Sequence, residues 1–516
     1  DLELQDKFDP LDCDMGSPWT GPRPELLAEL SRDSWRTAGD TIERLELLAT
    51  KLVSGDMKLP GDMPSTAGVL AEIDKRIRPA VRACGTRELG GLMTGLDGRF
   101  VAPGPSGAPT RGRLDVLPTG RNFFSMDARA LPTRAAWVLG QKSAELLVER
   151  HVQDHGDWPR AMAVTAWGTS NMRTGGDDIA QALALMGVKP KWDSASTRVT
   201  GFEIIPLAQL GRPRVDITLR VSGFFRDAFP AQLELVDAAA RAVMALDDEV
   251  ENDNPAAYRY QDERARLMAN GSPETDAVAK AGSRVFGSKP GAYGAGLQAP
   301  IDEKLWAERA DLGDAFVEWG GYAYGQGVEG RAAHDEFATR LSKVEAVVQN
   351  QDNREHDVLD SDDYYQFEGG MSAAVEKLRG QAPTIYHNDH SRPERPVVRT
   401  LDEEIGRVLR SRAVNPKWIE GVKRHGYKGA FEIAATVDYL FAFAATTGAV
   451  RPHHFDLVHE AYLEHDDTRQ FIETHNPAAL REIAERLSEA MERGMWIPRS
   501  NSARGLIDHL TSGETT

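Results

Sequence analysis

Between residues 114 and 246 the chain alternates short apolar runs with helical patterns, and this alternation limits the possible folds more than any other feature. Strands are predicted at 162–167, 202–206 and 215–221, with helices near 134–150, 177–186 and 228–246. Such alternation is typical of a mostly parallel sheet flanked by helices on both faces. Helical spacing before residue 84 and beyond residue 400 adds a helical N-terminal segment and a largely α-helical C-terminal region. The predicted fold class is therefore α/β.

A chain of 516 residues exceeds the usual size of a single hydrophobic core, so several domains are expected. A Gly/Pro-rich stretch at 98–112 suggests a linker, and Gly-rich loops recur near residue 290. The predicted domains are a helical segment with its linker at 1–113, an α/β domain at 114–250, a mixed region at 251–400 and a helical domain at 401–516.

Composition excludes several classes of function. A net charge of −18 argues against nonspecific binding to nucleic acid, which requires a basic surface. The two cysteines, Cys13 and Cys84, form no Cys-x-x-Cys motif, which fits a reducing cytoplasm and argues against thiolate zinc or iron–sulfur sites. The longest apolar stretch, 439–450, is too short to span a membrane and is expected to be a buried helix. The chain is predicted to be cytoplasmic, and its first residue, which is not Met, suggests a fragment of something longer.

Polar and cationic side chains cluster after the predicted strands. Loops at the carboxyl ends of strands are where open α/β sheets bind ligands. The candidates in these loops are Arg121, Asn122, Thr169, Asn171, Arg173, Thr174 and Arg226. They suit an anionic ligand with amide groups, because guanidinium pairs with carboxylate through two parallel hydrogen bonds. The alternative is that the glycines and asparagines make turns and the arginines lie in solvent; in a mixed case, Arg173 alone points to solvent while Asn171 and Thr174 face the ligand.

Two further groups of residues have more than one interpretation. Gly325-Gln-Gly-Val-Glu-Gly330 matches the dinucleotide fingerprint in form, but the segment before it is a poor strand. A loop that approaches a flat ligand is favoured instead, with Trp319, Tyr322 and Tyr324 as its aromatic walls. Tyr293, in the Gly-rich loop near residue 290, is a further candidate for substrate binding. His387 and His390 have the spacing of a metal-chelating pair on a loop, although such pairs often bond only to backbone.

Four motifs carry a resemblance to a known family. They are Trp167-Gly-Thr-Ser-Asn-Met-Arg-Thr-Gly-Gly-Asp-Asp178, Val215-Asp-Ile-Thr-Leu-Arg-Val-Ser-Gly-Phe-Phe-Arg-Asp-Ala-Phe229, Val285-Phe-Gly-Ser-Lys-Pro-Gly-Ala-Tyr-Gly294 and Asn415-Pro-Lys-Trp-Ile-Glu-Gly-Val-Lys-Arg-His-Gly-Tyr-Lys-Gly429. Together with their order along 117–500, they resemble the large subunits of aerobic cobaltochelatases and, more distantly, the porphyrin-binding subunits of magnesium chelatases. The segment 387–396 resembles the cobalt branch, which makes recognition of the corrin periphery an alternative role for His387 and His390.

The resemblance implies a function for the whole family member. It implies ATP-dependent insertion of Co²⁺, the metal substrate, into hydrogenobyrinic acid a,c-diamide during cobalamin biosynthesis. ATP and Mg²⁺ would be used by partner subunits, an AAA+ ATPase and its integrin-like adaptor, since this chain has no P-loop motif. The family's His-Gly-x-x-Glu-Trp-x-Pro-Gly motif has no counterpart here, so the chain resembles a C-terminal portion, is expected to be inactive alone, and has no assigned catalytic residue. The alternatives are a magnesium or other metal chelatase subunit of the H type, or a non-catalytic scaffold that docks the motor subunits.

Overall fold

The chain divides into two units, Asp1–Phe124 and Ser125–Thr516. The structure is a computed structural model that describes residues 1–5, 8–10, 13, 15–61, 63–109, 112–124 and 126–512. The first unit is mainly helical, with α1 Glu25–Ala28, α2 Ala38–Ser54, α3 Pro64–Glu72, a π-helical turn at Ile73–Ile77 and α4 Arg78–Leu96. Two short parallel strands, β1 Pro103–Pro105 and β2 Asn122–Phe124, complete it. A small core of Leu27, Leu48 and Leu52 joins α1 to α2.

The second unit is built on an eight-stranded sheet. Its strands are β3 Ala161–Ala166, β6 Asp216–Val221, β7 Val285–Gly287, β8 Tyr322–Gly325, β9 Val328–Ala332, β10 Ala346–Gln351, β11 Thr384–Asp389 and β12 Val397–Thr400. The strand order is β12-β11-β10-β3-β6-β7-β8-β9. The five central strands from β11 to β7 are parallel, whereas β12, β8 and β9 are antiparallel to their neighbours. The predicted mostly parallel sheet is confirmed.

The predicted strand at 202–206 belongs to a different sheet. It overlaps β5 Val199–Ile204, which pairs with β4 Val188–Trp192 in a two-stranded antiparallel sheet. No residue of β5 is buried, whereas every residue of β3 and of β6 is. Because β6 also carries polar residues among its apolar ones, the local pattern does not distinguish a strand of the central sheet from a strand of the small sheet.

Helices surround the sheet and form the C-terminal region. They are α5 Arg134–His155, α6 Gly168–Thr174, α7 Asp177–Met186, α8 Leu207–Leu210, α9 Gly223–Ala228, α10 Pro230–Met244, α11 Pro255–Ala269, α12 Glu274–Gly282, α13 Gln298–Asp302, α14 Arg309–Gly320, α15 His334–Leu341, α16 Asp362–Tyr364, α17 Gly370–Arg379, α18 Leu401–Val408, α19 Pro416–Lys423, α20 Tyr427–Thr446, α21 Pro452–His459, α22 Asp466–His475, α23 Pro477–Glu492 and α24 Ala503–Ser512. Short π-helical turns lie at Tyr365–Gly369, Leu409–Ala413 and Glu460–Glu464. The predicted helical C-terminal region is thus confirmed.

Each face of the sheet has its own hydrophobic core. Along β3, Met162 and Val164 pack with α5, α7 and α10 on one face, while Ala163 joins α14, α15 and α17 on the other. The core on the face covered by α14, α15 and α17 continues without a break into the C-terminal helices around α20. In the described part of the chain, α20 is the one helix with the length and apolar composition of a membrane span. However, 72% of its most apolar stretch of 18 residues is buried inside the protein. It therefore serves as the central core helix of this region.

The sheet takes strands from both sides of residue 250, where the sequence predicts a domain boundary. Strands β3 and β6 precede that position, and β7 to β12 follow it. The predicted regions 114–250 and 251–400 therefore contribute to one sheet.

Candidate functional site

A crevice opens at the carboxyl ends of β3 and β10. Within the sheet, β3 lies between two strands: β6 is its neighbour on one side and β10 is its neighbour on the other. The point where the strand order reverses is where open α/β sheets bind ligands. A cavity of about 300 Å³ lies here, lined by Trp167, Thr169, Ser170, Arg173, Gln349, Asn350, Asp352, His356, Asp360, Ser361, Asp363 and Tyr364. A cavity of about 560 Å³ between the amino ends of β3 and β6 is larger, but that edge of such a sheet does not usually bind ligands.

The turn after β3 explains how the sequence places one wall of this cavity. Helix α6 begins at Gly168, where a Cβ would lie 2.5 Å from the ring of Phe224, so only glycine fits. Asn171 points away from the cavity and donates 2.7 Å hydrogen bonds to Asp178 Oδ2 and to a backbone carbonyl. The Thr174 hydroxyl accepts from the backbone N–H of Asp177 at 3.1 Å. Asn171 and Thr174 therefore hold the turn together.

Arg173 lines the cavity together with Thr169 and Ser170 of the same turn. The mixed case predicted the reverse, with Arg173 in solvent and Asn171 and Thr174 facing the ligand, and is therefore wrong. Its guanidinium is already engaged, since Nε and Nη2 donate to the two carboxylate oxygens of Asp352 at 2.7 and 2.8 Å. A ligand carboxylate would have to displace Asp352 to form the same two-bond contact with this guanidinium.

The opposite wall carries groups that can exchange protons near neutral pH. His356 Nδ1 lies 3.1 Å from the hydroxyl of Tyr364. Burial lowers the pKa of His356, which favours the neutral imidazole. Desolvation and the neighbouring carboxylate of Asp357 raise the pKa of Asp360 to about 6. A neutral imidazole and a carboxylate with a pKa near 6 are both suited to accept protons.

A buried chain of hydrogen bonds leads from this wall into the protein. Gln351 Nε2 donates to the backbone carbonyl of His356 at 2.9 Å, and Gln351 Oε1 lies 3.2 Å from His387 Nε2. His387 Nδ1 in turn lies 3.1 Å from the carboxylate of Glu368. Burial alone would lower the pKa of His387, but Glu368 and other nearby carboxylates raise it above its ordinary value. Glu368 and His387 are both buried, so this pair can hold a proton away from solvent.

His387 and His390 do not converge on one metal ion. β11 extends to Asp389, so His387 lies on a strand, and its partner Glu368 lies on the face covered by α17. His390 Nε2 lies 2.7 Å from the hydroxyl of Ser143, which belongs to α5 on the opposite face. Among the described residues, no group of three or more His, Cys, Asp or Glu side chains is arranged to hold a metal. The predicted chelating loop is therefore replaced by two separate buried contacts.

Three exposed aromatic side chains lie beyond the carboxyl ends of β6 and β7, and we call them the aromatic platform: Phe224, Tyr293 and Trp319. Trp319 Nε1 donates to the backbone carbonyl of Tyr293 at 3.1 Å. Gly223 approaches the Tyr293 ring so closely that a Cβ there would lie 2.6 Å from it. The platform adjoins the cavity because the ring of Phe224 packs against Gly168, the first residue of α6.

Arg226 and Tyr324 support the platform from below. The Arg226 guanidinium donates to the backbone carbonyls of Lys289 and Ala292 at 2.8 and 3.0 Å, and its Nε donates to Asp227 at 2.7 Å. Tyr324 is buried and donates to the backbone carbonyl of Ser288 at 2.6 Å, so it is not the exposed aromatic wall that the sequence predicts. These contacts order the Gly-rich loop that carries Tyr293.

The structure places two other groups of predicted residues, the glycines at 325–330 and the pair Arg121 and Asn122, differently from the sequence-based expectation. Gly325 and Gly327 lie at the β8–β9 hairpin and not between a strand and a helix, which excludes the dinucleotide fingerprint. Arg121 and Asn122 lie in the first unit, where Asn122 begins β2, so neither follows a strand of the eight-stranded sheet. Arg121 Nη2 donates to the backbone carbonyls of Asp115 and Val116 at 2.9 and 3.0 Å.

Sequence reasoning missed most of the wall formed by β10 and the segment after it. Asp352, His356, Tyr364 and Glu368 all fall in or after a segment that looks like an acidic loop. A signal was present: the apolar run 346–348 is followed at once by Gln-Asn-Gln-Asp-Asn at 349–353. An apolar strand that ends in polar side chains is the pattern that located the β3 and β6 loops.

The buried carboxyl of Asp178 beneath the crevice should make stability depend on pH. Burial raises its pKa from 3.8 to about 6, although Asn350 and Asn171 donate to it at 2.9 and 2.7 Å. The folded protein therefore binds this proton more tightly than the unfolded chain, and the resulting stabilisation is lost as the pH rises through about 6. Between about pH 7.5 and about pH 5, the parent protein should gain about 1 kcal/mol of unfolding free energy relative to Asp178→Asn. Chemical denaturation of both proteins at each pH tests this, and parallel pH profiles would contradict it.

Comparison with known proteins agrees with this architecture. The chain matches the CobN/Magnesium Chelatase family over residues 4–503. It is 64% identical to the aerobic cobaltochelatase subunit CobN of Sinorhizobium sp, over 96% of this chain and 39% of the relative. The H-type magnesium-chelatase protein of Rhodobacter capsulatus is 34% identical over 80% of this chain and 34% of its own length. The solved catalytic subunit of cobaltochelatase from Mycobacterium tuberculosis superposes with a TM-score of 0.83 at 42% identity, covering 94% of this chain and 41% of that one.

The chain thus spans about two fifths of the length of these cobaltochelatase relatives. The agreement extends over both units of the structure, since the family match begins at residue 4 and ends at residue 503. This chain belongs to the CobN/magnesium chelatase family.

Proposed function

We propose that this chain supplies the tetrapyrrole-binding surface of an ATP-dependent cobaltochelatase. The reaction would insert Co²⁺ into hydrogenobyrinic acid a,c-diamide in cobalamin biosynthesis. ATP and Mg²⁺ would act on partner subunits, an AAA+ ATPase and its integrin-like adaptor. Support comes from family membership and from relatives that are named as cobaltochelatase subunits.

The observation that carries the proposal is the position of the aromatic platform beside the crevice. A tetrapyrrole is a large flat ring system, and exposed aromatic side chains offer it an apolar contact surface. The crevice next to the platform carries His356, Asp360 and Tyr364, while the charge of Arg173 is paired with Asp352. A ring held on the platform would therefore extend an edge toward groups that bind cations and protons.

This arrangement matches the chemical demands of metal insertion. The pyrrolic nitrogens must lose their protons, and the hydrated metal ion must exchange water for nitrogen ligands. The neutral imidazole of His356 and the carboxylate of Asp360 can accept protons or transiently attract Co²⁺ near neutral pH. Behind them, the Glu368–His387 pair provides a buried group that changes charge when a proton moves. The catalytic acid or base of the complete enzyme is not assigned to this chain.

Titration of the purified chain with metal-free hydrogenobyrinic acid a,c-diamide tests the binding step. The visible spectrum of the ligand should shift in a saturable manner, because contact with the platform removes part of the ring from water. Replacing both Tyr293 and Trp319 by alanine should weaken binding by about 10- to 100-fold, since aromatic side chains often dominate such contact surfaces.

Tyr258→Ala is the matched control. Tyr258 on α11 is an aromatic residue whose exposed fraction, 51%, lies between those of Trp319 and Tyr293, and it lines neither the crevice nor the platform. It should leave the affinity unchanged. A saturable shift that survives the double substitution would place the ring elsewhere. No shift with the parent chain would mean that the binding site needs the rest of the large subunit, or that the chain is a scaffold that only docks the motor subunits.

A further inference from the structure

Helix α4 and the segment before it are poorly covered by the rest of the first unit. From Pro64 to Leu96, a stretch that the structure describes throughout, no residue of α3, the π-helical turn or α4 is buried. A helix in water derives most of its stability from packing of an apolar face. A helical segment of this length without a buried residue therefore suggests a surface that a partner covers.

Four of the five exposed large apolar residues of α4 form a single line, which we call the α4 stripe: Leu89, Leu92, Met93 and Leu96; the fifth, Val81, lies closer to the start of the helix. Their spacing of i, i+3, i+4 and i+7 puts all four on one face of the helix. They are 67%, 59%, 59% and 73% exposed. Single exposed apolar side chains are common on protein surfaces, but a contiguous row of them marks an interaction site.

The opposite face of α4 is the one that packs within the first unit. Cys84 Sγ accepts a hydrogen bond from the backbone N–H of Thr119 at 3.4 Å. A Cβ at Gly91 would lie 2.6 Å from the carbonyl oxygen of Gly120. Residues 84 and 91 are two turns apart on one side of the helix, and the α4 stripe lies on the other side. The helix is thus held in place while its apolar face remains exposed.

We infer that the α4 stripe is a docking face for the part of the family's large subunit that lies outside the region matched by this chain. The cobaltochelatase relatives from Sinorhizobium sp and Pseudomonas aeruginosa align with 96% and 95% of this chain, yet the match covers only 39% of each relative. Most of each relative therefore lies outside the match and is large enough to contribute a groove that accepts a helix. The inference rests on family membership and does not depend on the proposed reaction.

A second copy of this chain is a poorer occupant of the stripe. A coiled coil of two identical helices is indicated by an apolar seam that continues over roughly three to four heptads. The α4 stripe spans a single heptad, from Leu89 to Leu96. Gly90, Gly91 and Gly95 also lie within this span of the helix, and each weakens a freestanding helix by about 1 kcal/mol relative to alanine. A short apolar face of this kind fits a preformed groove better than a coiled coil.

The first test measures association in trans. The part of the Sinorhizobium subunit outside the match is produced separately and titrated against the full present chain. Binding is expected, and Leu92→Ser with Leu96→Ser should weaken it at least tenfold. Circular dichroism of this variant should match the parent, since neither side chain is buried. Val138→Ser with Ile497→Ser, two exposed apolar residues of the second unit, is the control and should bind normally.

The second test does not depend on the separated part folding correctly. A cysteine is introduced at position 92 of the present chain and at the aligned position of the full-length Sinorhizobium relative. Maleimide should label the first rapidly and the second at least tenfold more slowly. Equal labelling in both proteins would overturn the inference. Self-association of the present chain that the Leu92→Ser, Leu96→Ser variant abolishes would also overturn it, in favour of a second copy.

Discussion

Asp216→Asn should lower the free energy of unfolding by about 3–5 kcal/mol, because it removes the carboxylate partner of a buried guanidinium. Arg284 donates from Nε to Asp216 Oδ1 at 2.6 Å, and no other carboxylate of the described residues forms an ion pair with this arginine. Arg259 Nη1 lies 3.4 Å from the other oxygen. Burial alone would raise the pKa of Asp216, but Arg284 and Arg259 lower it. The loss should appear as a lower denaturant midpoint in urea unfolding followed by circular dichroism.

Asp262→Asn is the matched control for this substitution. Asp262 pairs with Arg266 at 3.0 Å on α11, but the two side chains are 52% and 64% exposed. Exposed pairs contribute about 0–1 kcal/mol, so the control should unfold almost as the parent does. Similar losses in the two variants would mean that burial does not set the strength of the Asp216 pair.

Arg220→Met should have the opposite sign and raise the free energy of unfolding by about 2–4 kcal/mol. Arg220 lies on the same strand as Asp216 and is fully buried. Within the described part of the chain it forms no ion pair, and its Nε and Nη2 atoms have no hydrogen-bond partner. Its guanidinium lies between the rings of Phe367 and Phe316, at 4.9 and 5.5 Å from their centres. Burial without an anion lowers the pKa of Arg220 to about 9.

Arg284→Met is the matched control, since it makes the same change at a buried arginine that has a carboxylate partner. It should lower stability by about 3–5 kcal/mol, because Asp216 is then left without its shortest ion pair. The comparison therefore predicts opposite signs for one chemical change at two buried sites. A loss of stability in Arg220→Met would show that its contacts with the phenylalanine rings outweigh the cost of the unpaired charge.

The position of Arg220 suggests why an unpaired charge is retained. Arg220 lies at the carboxyl end of β6, directly behind Gly320, where a Cβ would be 2.8 Å from its Nε. Gly320 follows Trp319 of the aromatic platform. Buried groups that lower the stability of the fold tend to occur at functional sites. In the proposed binding titration, Arg220→Met should therefore combine higher stability with weaker tetrapyrrole binding, whereas unchanged binding would show that the charge of Arg220 has no part in it.

Much of the candidate site was predictable from local sequence. The apolar run of β3 and the alternating apolar residues of β6 indicate strands, and the glycines and polar residues that follow each of them indicate ligand-binding loops. This pattern predicts Thr169 and Arg173, whereas Trp319 was predicted from its place beside the Gly-rich segment at 325–330. Each of these assignments depends on a few neighbouring residues, which is the range over which strand, turn and glycine preferences act.

The sequence by itself therefore determined the α/β class, the helical N-terminal and C-terminal regions, and the loops that follow β3 and β6. Those features depend on local patterns of burial and backbone preference. Only the tertiary structure decided that β10 lies beside β3 and so creates the crevice. It alone paired Arg173 with Asp352, 179 residues away, and it alone placed His387 against Glu368 and His390 against Ser143 on opposite faces. The physical reason is that strand order and charge pairing depend on contacts between distant segments, whose partners cannot be read from the residues adjacent to either one.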